Sequence, residues 1–161
     1  MCRASKAFSL IDVMIAVTVI GTGVSATVCA VGQTSQSNVA SAELTTAVNL
    51  SQQVHEFALS LPHSNPDGSV GKRTSTDPTT FNDICDLNNW NSSKVINSSG
   101  APVEGYGKWQ QCVMVYGVDA ANPQANLTSP TPMGLKRIVV VIRHNGGVVH
   151  TESWFLAATP R

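Results

Sequence analysis

The sequence predicts an α+β protein in which a long N-terminal helix packs, by its second half, on a C-terminal antiparallel β-sheet. Three observations lead to this fold class. No proline precedes Pro62, and an interior proline costs a helix about 3 kcal/mol. Small and apolar residues recur at helical spacing up to Leu61. Two β-rich runs, joined by a strong turn signal, close the chain.

The first half of the predicted helix, residues 8–31, is a candidate transmembrane segment. Val, Ile, Ala, Leu, Thr and Gly dominate it, and its roughly 36 Å of helix exceeds the roughly 30 Å hydrocarbon core of a bilayer. Arg3 and Lys6 precede the segment, and the next basic residue is Lys72. This distribution predicts a cytoplasmic N-terminus, with the rest of the chain across the membrane.

A secretory signal peptide is the alternative interpretation of the same segment. Val28 and Ala30 are small enough to precede a cut, which would make Val31 the first mature residue. The apolar run is longer than the roughly 7 to 15 residues of a signal-peptide core, and it contains Asp12. Helical patterning also continues beyond that cut. These features favour a membrane anchor and leave the signal peptide as the competing interpretation.

Residues 32–61 predict the amphipathic half of the helix. Small and apolar side chains form one stripe at intervals of three and four residues, widened on either side by larger ones: Ala40, Leu44, Ala47, Val48, Leu50, Ser51, Val54, Phe57, Ala58 and Leu61. The opposite side is polar. We expect the stripe to pack on the sheet.

Residues 62–161 predict a loop region followed by the antiparallel sheet. The loop region is rich in Pro, Gly, Asn, Ser and Asp, which favours turns, and residues 81–87 are a candidate short helix. The strands are predicted over residues 108–117, 137–143 and 148–156, the last two joined by a hairpin at Asn145-Gly146. In the last strand, alternation places Val149 and Phe155 on one face and Val148, Trp154 and Leu156 on the other.

Composition and motifs give no indication of nucleic-acid binding or catalysis. Ten basic and ten acidic residues give a net charge of zero without a basic stripe. The chain has no G-x-S-x-G, H-E-x-x-H, C-x-x-C or phosphate-binding glycine motif. We expect structural positions for His55, His144 and His150. The prediction is a protein that is not an enzyme and has no cofactor, metal or nucleic-acid partner.

Cys85 and Cys112 are the two cysteines beyond the predicted membrane segment. In an oxidising compartment they are a candidate disulfide, which would contribute roughly 3 to 4 kcal/mol by loop entropy. Two separate buried thiols are the alternative.

The stretch KAFSLIDVMIAVTVIG, which starts at Lys6, resembles the N-terminus of type IV pilins and of the pseudopilins of type II secretion. The resemblance implies that residues 1–7 are a basic prepilin leader with Arg3 and Lys6 as its charges. It implies that prepilin peptidase cuts between Ala7 and Phe8 and that Phe8 is then N-methylated. Ala7 stands where these families usually have glycine.

The resemblance also implies a role for Asp12, which stands where these families usually have glutamate. A charged residue within lipid costs roughly 2.5 to 3.5 kcal/mol on insertion scales, so it needs a partner. The resemblance implies that this partner is the mature N-terminal amine of a neighbouring subunit in the assembled pilus. Asp12 is therefore the expected assembly residue.

The function implied is that of a structural subunit of a type IV pilus or type II secretion pseudopilus. The absence of an acid after Glu152 differs from the acidic calcium loop of major pseudopilins and favours a minor subunit. The implied partners are other pilin or pseudopilin subunits, prepilin peptidase, the assembly platform and the lipid of the bacterial inner membrane, with the C-terminal domain in the periplasm. The alternative is a signal-anchored or secreted monomeric binding protein with a β-sheet domain.

Overall fold

A computed structural model describes residues 9–64, 76–92, 94–119, 121–127 and 134–158. In chain order these form helix α1, two short 3-10 turns and five strands: α1 (Leu10–Ser60), the turns Pro78–Thr80 and Ile84–Leu87, β1 (Trp90–Ser92), β2 (Trp109–Asp119), β3 (Asn122–Leu127), β4 (Leu135–His144) and β5 (Gly147–Leu156). The predicted α+β fold, a long N-terminal helix packed on a C-terminal antiparallel sheet, is confirmed.

Helix α1 belongs to two compact units, Met1–Ala42 and Glu43–Arg161. In the first unit, every described helix residue is exposed. In the second unit, the helix buries one face: Ala47, Leu50, Ser51, Val54, Phe57 and Ala58. The predicted stripe is therefore confirmed over this stretch. It is wrong at Ala40, which is exposed, and at Leu44, which is 48% exposed.

The sheet has the strand order β1-β2-β4-β5, with β3 also paired to β2, and every pairing is antiparallel. The three predicted strands correspond to β2, β4 and β5. Sequence patterning missed β1, which has three residues, and β3, which contains Pro123. The candidate short helix exists as the 3-10 turn Ile84–Leu87, capped by Asp83, whose side chain accepts from the N–H groups of Cys85 and Asp86.

The core lies between the buried face of α1 and the inner face of the sheet. Its members from the sheet and the loops are Phe81, Ile84, Cys85, Leu87, Trp90, Val95, Ile96, Trp109, Val113, Val115, Ile138, Val140 and Ile142. Gln111 on β2 forms hydrogen bonds both to helix α1 and to the loop that contains Ile96. Its Oε1 accepts from the N–H of Ile96 at 2.8 Å, and its Nε2 donates to the carbonyl of Leu50 at 3.2 Å and to that of Ile96 at 3.3 Å.

A register shift in the β4–β5 hairpin changes the predicted faces of β5. Ile142 pairs with His150, but Arg143 pairs with Val148, so Val149 is an extra residue on β5. Val149 packs against the core beside Trp154 and Leu156, whereas Val148 is 58% exposed. The predicted faces of Val148 and Val149 are therefore wrong, because a β-bulge interrupts the two-residue alternation.

The predicted disulfide between Cys85 and Cys112 is not formed, and both thiols are free. Cys85 is buried in the core, whereas Cys112 lies on β2 between the buried residues Gln111 and Val113, so it points to the opposite face of the sheet. Its Sγ contacts Asn91 Oδ1 at 3.3 Å. The sheet separates the two sulfur atoms, and burial raises the pKa of both thiols.

Candidate functional site

The first turn of α1 is capped by the side chains of Ser9 and Asp12. The Ser9 Oγ accepts from the N–H of Ile11 at 3.3 Å, and Asp12 Oδ2 accepts from the N–H of Ser9 at 3.3 Å. Such reciprocal bonds satisfy N–H groups that have no partner within the helix. Asp12 also places a negative charge at the positive end of the helix dipole. The Ser-x-x-Asp pattern was the signal for this cap, and sequence analysis missed it.

The N-terminal part of α1 presents a continuous apolar surface. Among the described residues, α1 is the one helix long and apolar enough to cross a membrane. Its large apolar side chains are exposed on every side of the helix: Leu10, Ile11, Val13, Met14, Ile15, Val17, Val19, Ile20, Val24, Val28 and Val31. A helix that is apolar all round is typical of burial in lipid or among other helices.

The hydroxyl groups of this segment are satisfied within the helix. Five side chains donate to the carbonyl oxygen four residues earlier, at 2.8 to 3.0 Å: Thr18, Thr22, Ser25, Thr27 and Thr34. Each bond removes the need for water, because an unpaired polar group in hydrocarbon costs several kcal/mol. The segment can therefore enter an apolar environment with its hydroxyls paired.

Asp12 differs from these hydroxyls because it carries a charge. From Ser9 to Ala42 it is the single charged side chain in the sequence. Its carboxylate is exposed at the N-terminal end of the apolar surface, and Oδ2 already accepts from Ser9. A carboxylate has room for further acceptor bonds, and in hydrocarbon it requires a cation. The structure thus places an anion at the end of an uncovered apolar helix.

Two histidines of the second unit, His55 and His144, pack against tryptophan rings. The His55 ring lies 4.3 Å from that of Trp154, and the His144 ring stacks on Trp109 at 4.3 Å. The His144 Nδ1 also lies 3.1 Å from Glu43 Oε1. These contacts agree with the structural positions expected for both residues.

Ser51, Glu152 and His150 lie close together but do not have the geometry of a catalytic triad. Ser51 Oγ donates to Glu152 Oε2 at 2.5 Å, and His150 Nε2 lies 3.9 Å from the same oxygen. The carboxylate therefore lies between the hydroxyl and the imidazole, whereas a triad needs the imidazole between the other two groups. The described residues also contain no cluster of three or more His, Cys, Asp or Glu side chains that could hold a metal ion.

The predicted leader and cleavage site, with Arg3, Lys6, Ala7 and Phe8, lie outside the described residues. Comparisons with protein families, curated proteins and solved structures found no match to this chain.

Proposed function

We propose that this chain is a structural subunit of a type IV pilus or type II secretion pseudopilus, in the role of a minor subunit. One observation carries the proposal. A single helix, Leu10–Ser60, has a fully exposed apolar half with one carboxylate at its start and a second half that buries one face in the core of a folded unit. Such a helix has an exposed apolar half that can insert into a membrane or pack on other helices, and a second half that belongs to a folded unit.

The exposed half of α1 is surrounded first by lipid and then, after assembly, by other helices. Before assembly the lipid of the bacterial inner membrane surrounds it, with the sheet-bearing unit in the periplasm. After assembly the helices of other subunits replace the lipid. Lipid tails are as apolar as these side chains, so helix association in a membrane depends on close packing and on polar contacts. The charge of Asp12 is then the strongest specific contact that this half can offer.

The counter-ion of Asp12 is the α-amine of Phe8 in a neighbouring subunit. Prepilin peptidase creates this amine by cutting between Ala7 and Phe8, and N-methylation leaves its positive charge in place. Pairing would offset the roughly 2.5 to 3.5 kcal/mol cost of the carboxylate in lipid. Because every subunit supplies one amine and one carboxylate, the pair also fixes the axial position of each subunit against the next.

Substitutions at Asp12 separate the assembly role from the capping role. In Asp12→Asn, the amide oxygen can still accept from the Ser9 N–H, but the charge is lost. We expect Asp12→Asn and Asp12→Ala to reach the membrane normally and to be lost from sheared filaments, measured by immunoblot of membrane and filament fractions. Asp12→Glu restores the charge and should restore incorporation.

Normal incorporation of Asp12→Asn would contradict the charge-pair proposal and leave capping as the role of this residue. A full-length chain that stays monomeric in the membrane and is never recovered with other subunits would instead support the alternative of an anchored binding protein.

A further inference from the structure

At the hairpin between β4 and β5, Glu43, His144 and Asn145 form a chain of polar contacts, called the relay below, that has no part in the proposed function. His144 Nδ1 lies 3.1 Å from Glu43 Oε1, and His144 Nε2 lies 3.4 Å from the side-chain Nδ2 of Asn145. The ring stacks on Trp109 with an interplanar angle of 16°. Both ring nitrogens of one imidazole are thereby held, one by a carboxylate and the other beside a side-chain amide.

The Glu43 carboxylate determines the tautomer of this imidazole. A carboxylate only accepts hydrogen bonds, so His144 Nδ1 must be the donor in this contact. In the neutral ring Nε2 then accepts from Asn145 Nδ2, and in the protonated ring Nε2–H points at the same nitrogen. A carboxylate that holds an imidazole in one orientation and one tautomer is the arrangement by which histidine serves as a general acid or base.

The residue that follows Asn145 is Gly146, and its backbone nitrogen can attack the Asn145 side chain. Asn145 is exposed, with a φ of 51°. Gly146 has a φ of 82°, and no atom lies within 4 Å of the position that a Cβ would take there. Gly146 therefore has no side chain that could hinder the approach of its nitrogen to the carbonyl carbon Cγ of Asn145. Asn145-Gly146 is also the one Asn-Gly pair in the sequence.

We propose that Asn145 is a site of spontaneous deamidation in which His144 is the general acid. The Gly146 nitrogen loses its proton to water and forms a bond to Asn145 Cγ, which gives a five-membered tetrahedral intermediate with a negative charge on the former carbonyl oxygen. His144 Nε2 donates a proton to the departing Nδ2, the carbonyl re-forms as the Cγ–Nδ2 bond breaks, and ammonia leaves a succinimide behind. The imidazole regains its proton from solvent. Water then opens the succinimide, so the net reaction converts asparagine and water into aspartate or isoaspartate and ammonia.

The product adds a negative charge beside Glu43 and His144. An aspartate at this position would compete with Glu43 for His144. An isoaspartate would lengthen the backbone at a turn whose positive φ angles are matched to the hairpin. Either product changes the contact between α1 and the β4–β5 hairpin, where the first residue of the second unit meets the sheet. The modification therefore accumulates with time at one defined position, Asn145, and alters this contact.

The test is to incubate the full-length protein in detergent at neutral pH and to follow each asparagine by peptide mass spectrometry. Isoaspartate is measured by an isoaspartyl methyltransferase assay. Three asparagines followed by residues other than glycine serve as internal controls: Asn91, Asn97 and Asn126. We expect Asn145 to lose its amide at least tenfold faster than these controls. General acid catalysis is typically worth a factor of about 10² to 10⁴, so His144→Gln should slow the loss at least tenfold, and Glu43→Gln should slow it less.

Repeating the incubation in urea, where every variant is unfolded, measures the deamidation rate that the local sequence alone gives. In the unfolded chain the relay is absent, so wild type and His144→Gln should deamidate at the same rate. A folded His144→Gln protein that deamidates as fast as wild type would overturn the role of His144. An Asn145 that stays intact as long as Asn91 would overturn the site itself. None of these readouts depends on filament assembly.

Discussion

The loop between Ile96 and Pro102 meets the helix at Phe57, and substitution of Gly100 tests that contact. Gly100 is buried and has a φ of 80°. A Cβ at this position would lie 2.8 Å from Phe57 Cε2 and 3.1 Å from Phe57 Cζ. The Phe57 ring is itself held, because it lies 6.4 Å from the ring of Phe81. An alanine here therefore faces both backbone strain and a side chain with little freedom to move.

The cost of Gly100→Ala has two parts. A left-handed backbone costs a residue with a Cβ about 1 to 2 kcal/mol, and forcing an extra carbon into a packed core costs about 1 to 3 kcal/mol. We expect the free energy of unfolding to fall by about 2 to 5 kcal/mol. Gly105→Ala is the matched control, because Gly105 has a φ of 90° but no atom near its Cβ position, so it should lose only about 1 to 2 kcal/mol.

Urea unfolding followed by tryptophan fluorescence measures these differences in the full-length protein. Trp90, Trp109 and Trp154 are the three tryptophans of the chain and all lie in the second unit, so the signal reports that unit alone. Gly107→Ala, at an open position without a positive φ, should stay within about 0.5 kcal/mol of wild type. If Gly100→Ala costs no more than Gly105→Ala, the loop does not press on Phe57 and the packing described here is wrong.

Two further predictions concern buried polar groups. Gln111→Leu should lower the free energy of unfolding by about 2 to 4 kcal/mol, because it leaves the buried N–H of Ile96 without its acceptor. Gln110→Leu, on the opposite face of the sheet, should change the free energy of unfolding little. Equal effects of the two substitutions in urea unfolding would contradict the role given to the hydrogen bonds of Gln111. Burial raises the pKa of the Cys85 thiol above its ordinary value of 9.0, and the nearby Lys136 offsets this only in part. Above pH 9.0 the folded state then keeps a proton that the unfolded state loses. The Cys85 thiol therefore leaves the free energy of unfolding unchanged below pH 9.0 and lowers it as the pH rises above 9.0. Cys85→Ala should flatten this decline more than Cys112→Ala, and an unchanged slope would contradict the assignment.

The elements that the sequence predicted are those with a long, regular period. The 51 residues of α1 follow from the proline-free segment and its apolar content, and β2, β4 and β5 follow from alternation and the Asn145-Gly146 turn. Strand β1 was missed because three residues carry no detectable period, and β3 because proline argues against a strand. The bulge at Val149 leaves no mark in the residue types. Long-range contacts, such as that of Glu43 with His144, cannot be read from a single sequence.

The candidate site was predictable in part. The sequence identified Asp12 as the one charge in an apolar segment, and the structure adds its bond to Ser9. The disulfide prediction failed because counting cysteines does not reveal which face of a strand each one occupies. Cys112 alternates with buried neighbours on β2, and that pattern could have placed it on the outer face.

The mass of the N-terminal peptide of the mature protein, isolated from the membrane, is the direct test of assembly through Asp12. We predict a chain that begins at Phe8 with a methylated amine, because that amine is the proposed counter-ion of Asp12. A chain that begins at Met1 would indicate a plain membrane anchor, and one that begins at Val31 would indicate a cleaved signal peptide. Either result would remove the amine on which assembly through Asp12 depends.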